Sequence, residues 1–171
     1  PHLSSLVYIP TAMYAPNPKS TRSPGETRRR ARYDAKQKMK VIQELLPRRT
    51  SSSSADILLE LCNPAITADF IDQCLKNAGY IYVDGGNTFY LQQYLLKHSF
   101  FAQHLVPKLQ TEGGIYIGAS AGAICAGRDI STAYWKGWDS PACATETDWT
   151  DPHSTQGAGL VQYSVFPHYV G

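Results

Sequence analysis

The stretch IYIGASAGAICAG, residues 115–127, constrains the fold more than any other part of the chain. A short β-branched and aromatic run reads as a strand, Gly118-Ala119-Ser120-Ala121-Gly122 as a tight turn, and Ala121 to Ala126 as the opening of a helix. The glycines permit the sharp turn and leave room for the helix to lie against the sheet. Ser120 stands between them, either as a nucleophile lifted clear of the backbone or as a serine in a small-residue packing joint.

The rest of the chain repeats the strand-then-helix rhythm. Leu3 to Ile9 reads as a strand ending at Pro10, followed by a loop from Thr11 to Arg22. Ser23-Pro24-Gly25-Glu26 predicts a capped helix start, with Ala35, Met39, Ile42 and Leu46 as its apolar stripe and Pro47 as its stop. A low-complexity loop, Thr50 to Ser54, leads to a predicted buried strand over Asp56–Cys62. A helix capped by Thr67 is expected to run to Ala78 and stop at Gly79. Tyr80 to Val83 reads as a strand, and Asp84-Gly85-Gly86-Asn87-Thr88 as the turn into a helix through Phe89, Leu91, Leu95 and Leu96. Another helix spans Phe101 to Glu112, kinked or divided by Pro107 and broken by Gly113-Gly114. Residues 128–158 are irregular by pattern, and Leu160 to Phe166 reads as a last strand stopped by Pro167. This order predicts an α/β fold, a mostly parallel open sheet with helices on both faces, and residues 1–171 read as a single domain. Such sheets carry their ligands at the C-terminal strand ends, where Gly85-Gly86-Asn87, Ser120 and Pro167-His168 all fall.

Composition narrows the class further. No apolar run approaches the ~18 residues of a membrane span. No charged-then-apolar leader precedes the first strand, although the chain begins at Pro1 without an initiator Met. Cys62, Cys74, Cys125 and Cys143 form no C-x-x-C pair and read as reduced thiols, which fits a cytoplasmic protein. The histidines lack zinc-ligand spacing, so neither a metal nor a cofactor is expected. Residues 1–50 carry a net charge of +8 and the remainder −6. We read the basic third as a solvated helix face rather than a nucleic-acid surface, because no reading motif accompanies it.

A serine hydroxyl attacks only when a base takes its proton and donors await the oxyanion. Ala121 supplies one backbone amide beside Ser120, and Gly86, at the end of the neighbouring strand, supplies a second with no side chain in the way. His2, His98 and His104 read as solvated and His153 as a loop residue, whereas His168 follows a strand at the same sheet edge as Ser120. The orienting carboxylate is sought among Asp129, Asp139, Glu146, Asp148 and Asp151. Asp139, in Trp138-Asp139-Ser140-Pro141, is preferred because its loop can cross the strand edge. The order Ser, Asp, His matches an α/β-hydrolase, but the 48 residues from Ser120 to His168 are too few for that fold.

Gly85-Gly86-Asn87-Thr88-Phe89, Tyr116-Ile117-Gly118-Ala119-Ser120-Ala121-Gly122-Ala123 and Pro167-His168-Tyr169 together resemble peptidase E, the aspartyl dipeptidase family. The resemblance covers roughly Leu6 to Tyr169 and implies a three-layer, class I glutamine amidotransferase-like (flavodoxin-like) fold. It implies Ser120 as nucleophile, His168 as general base, and Gly86 and Ala121 as oxyanion donors; Asp139 is kept as third triad member from its loop position, and Asn87 and Arg128 are substrate-binding candidates by their nearness to the site. The implied substrates are short peptides with an N-terminal aspartate. The resemblance also implies a further strand and helix before Leu3 and further strands after the histidine, so the chain reads as incomplete at both ends. Bare strand edges would favour association, with a homodimer as its simplest form. Two other readings stay open: a cyanophycinase-like serine hydrolase acting on Asp–Arg peptides, and a non-catalytic binding scaffold.

Overall fold

The computed structural model describes residues 5–16, 21, 23–46 and 56–168. Four strands, β1 (Ser5–Ile9), β2 (Ile57–Leu58), β3 (Ala78–Val83) and β4 (Ile115–Gly118), form one parallel sheet in the order β2-β1-β3-β4. Leu6 to Ile9 pair with Tyr80 to Val83, and Tyr80 to Val83 pair in turn with Ile115 to Gly118. The two central strands are buried on both faces, as all-parallel sheets require.

Helix α1 (Pro24–Leu45) covers one face. Its start is the predicted capping box: the Ser23 side chain accepts from the Glu26 amide, and the Glu26 carboxylate accepts from the Ser23 amide. Ala35, Met39, Ile42 and Leu46 pack on Leu6, Tyr8 and Tyr80. Arginines fill its outer side, where Arg30 pairs with Asp34 and Arg32 with Glu60. The opposite face carries α2 (Ala68–Leu75), α3 (Thr88–Lys97), α4 (Val106–Thr111) and α5 (Ala121–Ala126), over a core that includes Val7, Ile9, Ile81, Val83, Phe89, Leu91 and Ile124. The result is three layers with an α/β order, as expected.

Several boundaries differ from the sequence reading. The strand expected over Asp56–Cys62 pairs only at Ile57–Leu58, because the chain then follows Thr11: the Leu61 amide donates to Thr11 Oγ1. The α2 helix ends at Leu75 instead of Ala78, and Gly79 lies inside β3, where Ala78 already pairs with Ser5. The helix expected from Phe101 begins as a π-turn, Phe100–Leu105, and becomes regular at Val106 beside Pro107. Leu160 to Phe166 form no strand. Their backbone is held by the segment after α5 instead, with the Arg128 amide donating to Tyr163 O (3.2 Å) and Thr132 Oγ1 to Val165 O (2.6 Å). Leu3, Pro47, the Thr50–Ser54 loop, His2 and Tyr169 lie outside the described residues. No helix among the described residues is long and apolar enough to cross a membrane.

Candidate functional site

The site is built where β3 and β4 end. The sheet continues one residue past β4, with the Ala119 amide donating to Val83 O at 2.9 Å. The chain then reverses at Ser120, which has φ 48° and ψ −105°, a conformation costly for a residue with a Cβ. Two glycines make this turn possible. A Cβ on Gly118 would lie 2.6 Å from the Gly122 carbonyl carbon, and one on Gly122 would lie 2.2 Å from Val83 O. Tyr116 Oη donates to Gly122 O at 2.7 Å, bracing the first turn of α5 from β4. Ala121 is the first residue of α5, so no acceptor stands a turn earlier for its amide.

The glycine turn after β3 lies against the serine. A Cβ on Gly85 would lie 3.0 Å from Ser120 Cβ, and Gly86 has φ 134°, which favours glycine. Beneath it Asp84, 2% exposed, accepts from the Gly85 amide (2.7 Å), from Tyr8 Oη (2.5 Å) and from Lys38 Nζ (3.2 Å). Burial and this carboxylate push the Tyr8 phenol well above the ordinary tyrosine range.

His168 Nε2 lies 2.9 Å from Ser120 Oγ. The segment that delivers it is tied to residues 126–132. Besides the two bonds already described, the Leu160 amide donates to Ala126 O (3.0 Å) and Ser164 Oγ to Asp129 Oδ2 (2.6 Å). Asp129 also accepts from the Ser131 hydroxyl and from the Ser131 amide (3.0 Å). These bonds, those of the Ser131 and Ser164 hydroxyls foremost, lower its carboxyl to about 2.

Among the expected site residues, His168 meets Ser120, Ala121 directly follows it, and Gly86 belongs to the turn whose Gly85 lies against it. Asp139 does not reach His168. Its side chain, 2% exposed, faces Lys136, 0% exposed, at 2.7 Å, and also accepts from the Thr88 amide (3.1 Å) and Thr88 Oγ1 (2.5 Å). The loop crosses the strand end as expected, but the carboxylate turns inward because the buried Lys136 ammonium and the first turn of α3 need its charge. Asn87 is committed twice, its Oδ1 capping α3 at the Tyr90 amide and its Nδ2 donating to Ser140 O. Arg128 is 72% exposed and pairs with Asp129 at 3.4 Å.

The other histidines divide. His153 is exposed, as expected. His104 is buried, with Nδ1 2.6 Å from Asp72 Oδ1, and His98 Nε2 lies 2.9 Å from Leu61 O, so neither is simply solvated. The contact that sequence reasoning missed is Trp138. Its ring packs edge to face on His168, with centroids 6.1 Å apart. A tryptophan in an irregular loop carries no spacing signal that could have revealed it.

A parallel α/β sheet with a serine on a strained strand-to-helix turn and a histidine at its hydroxyl defines the class of this protein. The comparisons then give the family. The profile of peptidase family S51 matches residues 54–171, and the chain belongs to that family. An uncharacterized peptidase, Lin0382, of Listeria innocua is 35% identical over 112 residues, which cover 66% of this chain and 49% of the relative. Peptidase E of Shewanella denitrificans is 31% identical over 115 residues, 67% of this chain and 43% of the relative. The chain thus spans about half the length of the curated relatives it matches. In fold it is similar to the crystal structure of a candidate peptidase E protein from Listeria monocytogenes EGD-e, with a TM-score of 0.64 and 24% identity over 97% of this chain and 67% of that one.

Proposed function

We propose that the protein is a serine-type peptidase that cleaves short peptides through an acyl-enzyme on Ser120. The observation that carries the reading is the 2.9 Å approach of His168 Nε2 to Ser120 Oγ, on a turn whose strain holds that oxygen clear of the backbone. His168 takes the hydroxyl proton as Ser120 Oγ bonds to the scissile carbonyl carbon. The amides of Gly86 and Ala121 receive the oxyanion. The C–N bond then breaks, the proton passes from His168 to the leaving amine, and an ester remains on Ser120. Water gives its proton to His168 as it attacks the ester, the acid product leaves, and the hydroxyl is restored. Dipeptides with an N-terminal aspartate are the proposed substrates, with Arg128 as the nearby cation and the Asn87 backbone as a lining group; the basis is the likeness to peptidase E. In this reading Asp139 serves the site without touching His168.

The test is a fluorophosphonate probe followed by Asp-X dipeptides. Labelling at Ser120, and loss of labelling and of turnover by several orders of magnitude in Ser120→Ala, are expected. Full cleavage by Ser120→Ala would overturn the reading. Faster cleavage of β-linked Asp–Arg peptides than of Asp-X dipeptides would replace the substrate while keeping the chemistry.

A further inference from the structure

We infer that Trp138 is the positioning residue for His168, and that the buried Lys136–Asp139 pair acts on the site by holding Trp138 there; the inference rests on the peptidase reading of Ser120 and His168. His168 is exposed, so little packing around it fixes the ring. Among the described residues, no carboxylate or carbonyl accepts from its Nδ1. Its ring meets Ser120 Oγ at 2.9 Å and the Trp138 ring at 6.1 Å and 65°. The second is an edge-to-face contact within the favoured range of about 4.5–7 Å. An imidazole with a single hydrogen bond can still swing about its side-chain torsions. A large rigid ring against its side removes much of that freedom.

Trp138 can serve as such a wall only if its own loop is fixed, for the residue is 66% exposed. The fixing lies on either side of it. Lys136 and Asp139 pair at 2.7 Å with almost no exposure, and Asp139 is bound twice by Thr88 at the start of α3. Ser140 O accepts from Asn87 Nδ2 at 3.1 Å. Lys136 Nζ also lies 5.8 Å from the centre of the Trp138 ring. The loop is therefore bolted to the residues that directly follow Gly85-Gly86, the turn packed against Ser120. Oxyanion turn, Trp138 loop and His168 ring form one connected unit, and Asp139 contributes by anchoring it.

The experiment compares Trp138→Ala and Trp138→Phe in two ways. The first is the NMR signals of the His168 ring, which report the contact whether or not the chain is active. A ring-current shift in the wild type, lost in Trp138→Ala and partly kept in Trp138→Phe, is expected. An unchanged His168 spectrum in Trp138→Ala overturns the inference. The second is the rate of Ser120 modification by a fluorophosphonate and, with peptide, kcat against KM. Trp138→Ala should lower the rate and kcat up to about 100-fold, the cost of a misplaced catalytic group, with KM little changed. Trp138→Phe should recover most of it. A rise in KM alone, or no recovery by Phe, overturns the positioning role. Absence of any Ser120 modification in the wild type defeats the peptidase reading instead, and the NMR arm still decides whether Trp138 orders the ring.

Discussion

Gly122 lies directly on Val83: a Cβ at Gly122 would stand 2.2 Å from the Val83 carbonyl oxygen. The elbow helix therefore rests on the backbone of β3, with no side chain between them. Gly122→Ala has only rigid backbone to displace, since Val83 O is itself bonded to the Ala119 amide. We expect a loss of about 3 kcal/mol, the upper end of overpacking costs, measured by urea unfolding. Labelling of Ser120 should fall as well. A variant of wild-type stability would show that the turn can shift freely.

Ser120 is strained where it stands, with φ 48° and ψ −105°. Strain of this kind costs about 1–3 kcal/mol and is relieved by glycine, which offsets part of the gain through its freer unfolded chain. Ser120→Gly should thus be more stable than Ser120→Ala by about 1 kcal/mol, while both are inactive. Equal thermal midpoints for the two would remove the strain argument.

Asp129 ties the segment bearing His168 to the end of α5, and its bonds to Ser131 and Ser164 lower its carboxyl to about 2. A lowered carboxyl stabilises the fold fully above its unfolded value, near 3.8, and loses that contribution as pH falls toward 2. The side chain is 23% exposed, so the contribution is partly screened and amounts to about 2 kcal/mol. Asp129→Asn should be less stable at pH 6 and should show a flatter loss of stability between pH 4 and 2. Parallel acid curves for variant and wild type would place the acid sensitivity elsewhere.

The elements that could be read from the sequence were those whose signals are local. The capping box at Ser23, the α1 stripe, the break at Gly113-Gly114 and the elbow at Ser120 each depend on residues within a few positions of one another. The approach of His168 to Ser120 was legible because both follow the ends of expected extended runs. The run before His168 is nonetheless not a strand. Its apolar residues suit a strand, but their hydrogen bonds go to Arg128 and Thr132, a long-range choice that no window reveals. Asp139 illustrates the same limit. The sequence placed its loop at the strand end, yet the direction of the carboxylate is set by Lys136, three residues earlier, whose burial no local pattern signals.

That lysine makes a prediction of its own. Lys136 and Asp139 are both buried, so breaking the pair leaves one uncompensated charge, at a cost of about 3–5 kcal/mol, whereas replacing both with apolar residues of similar volume is often neutral. Asp139→Leu should therefore be severely destabilised. The double variant Lys136→Met with Asp139→Leu should recover much of the stability. Thermal melts of the two single variants and the double variant give the coupling directly, and additivity would sink the account.

Tyr8 and Asp84 set the foundation of the glycine turn, and their bond makes the last prediction. The Tyr8 phenol donates to a carboxylate 2% exposed, which in turn holds the Gly85 amide. Tyr8→Phe removes one donor to a buried charge and should cost about 2 kcal/mol. Gly85 and Lys38 still bind Asp84, so Ser120 labelling should stay within about threefold of wild type. The phenol is raised by burial first and then by Asp84, and a raised group gives its full contribution below its unfolded value, near 10.0. Stability should therefore fall as pH rises above about 10, because the unfolded chain releases a proton that the folded phenol keeps. Tyr14 and Tyr90 are raised for the same leading reason, so the wild type should lose stability steeply in alkali and Tyr8→Phe less steeply. Unfolding midpoints in urea from pH 8 to 11 measure the difference, and identical slopes would mean that the phenol does not keep its proton in the folded state.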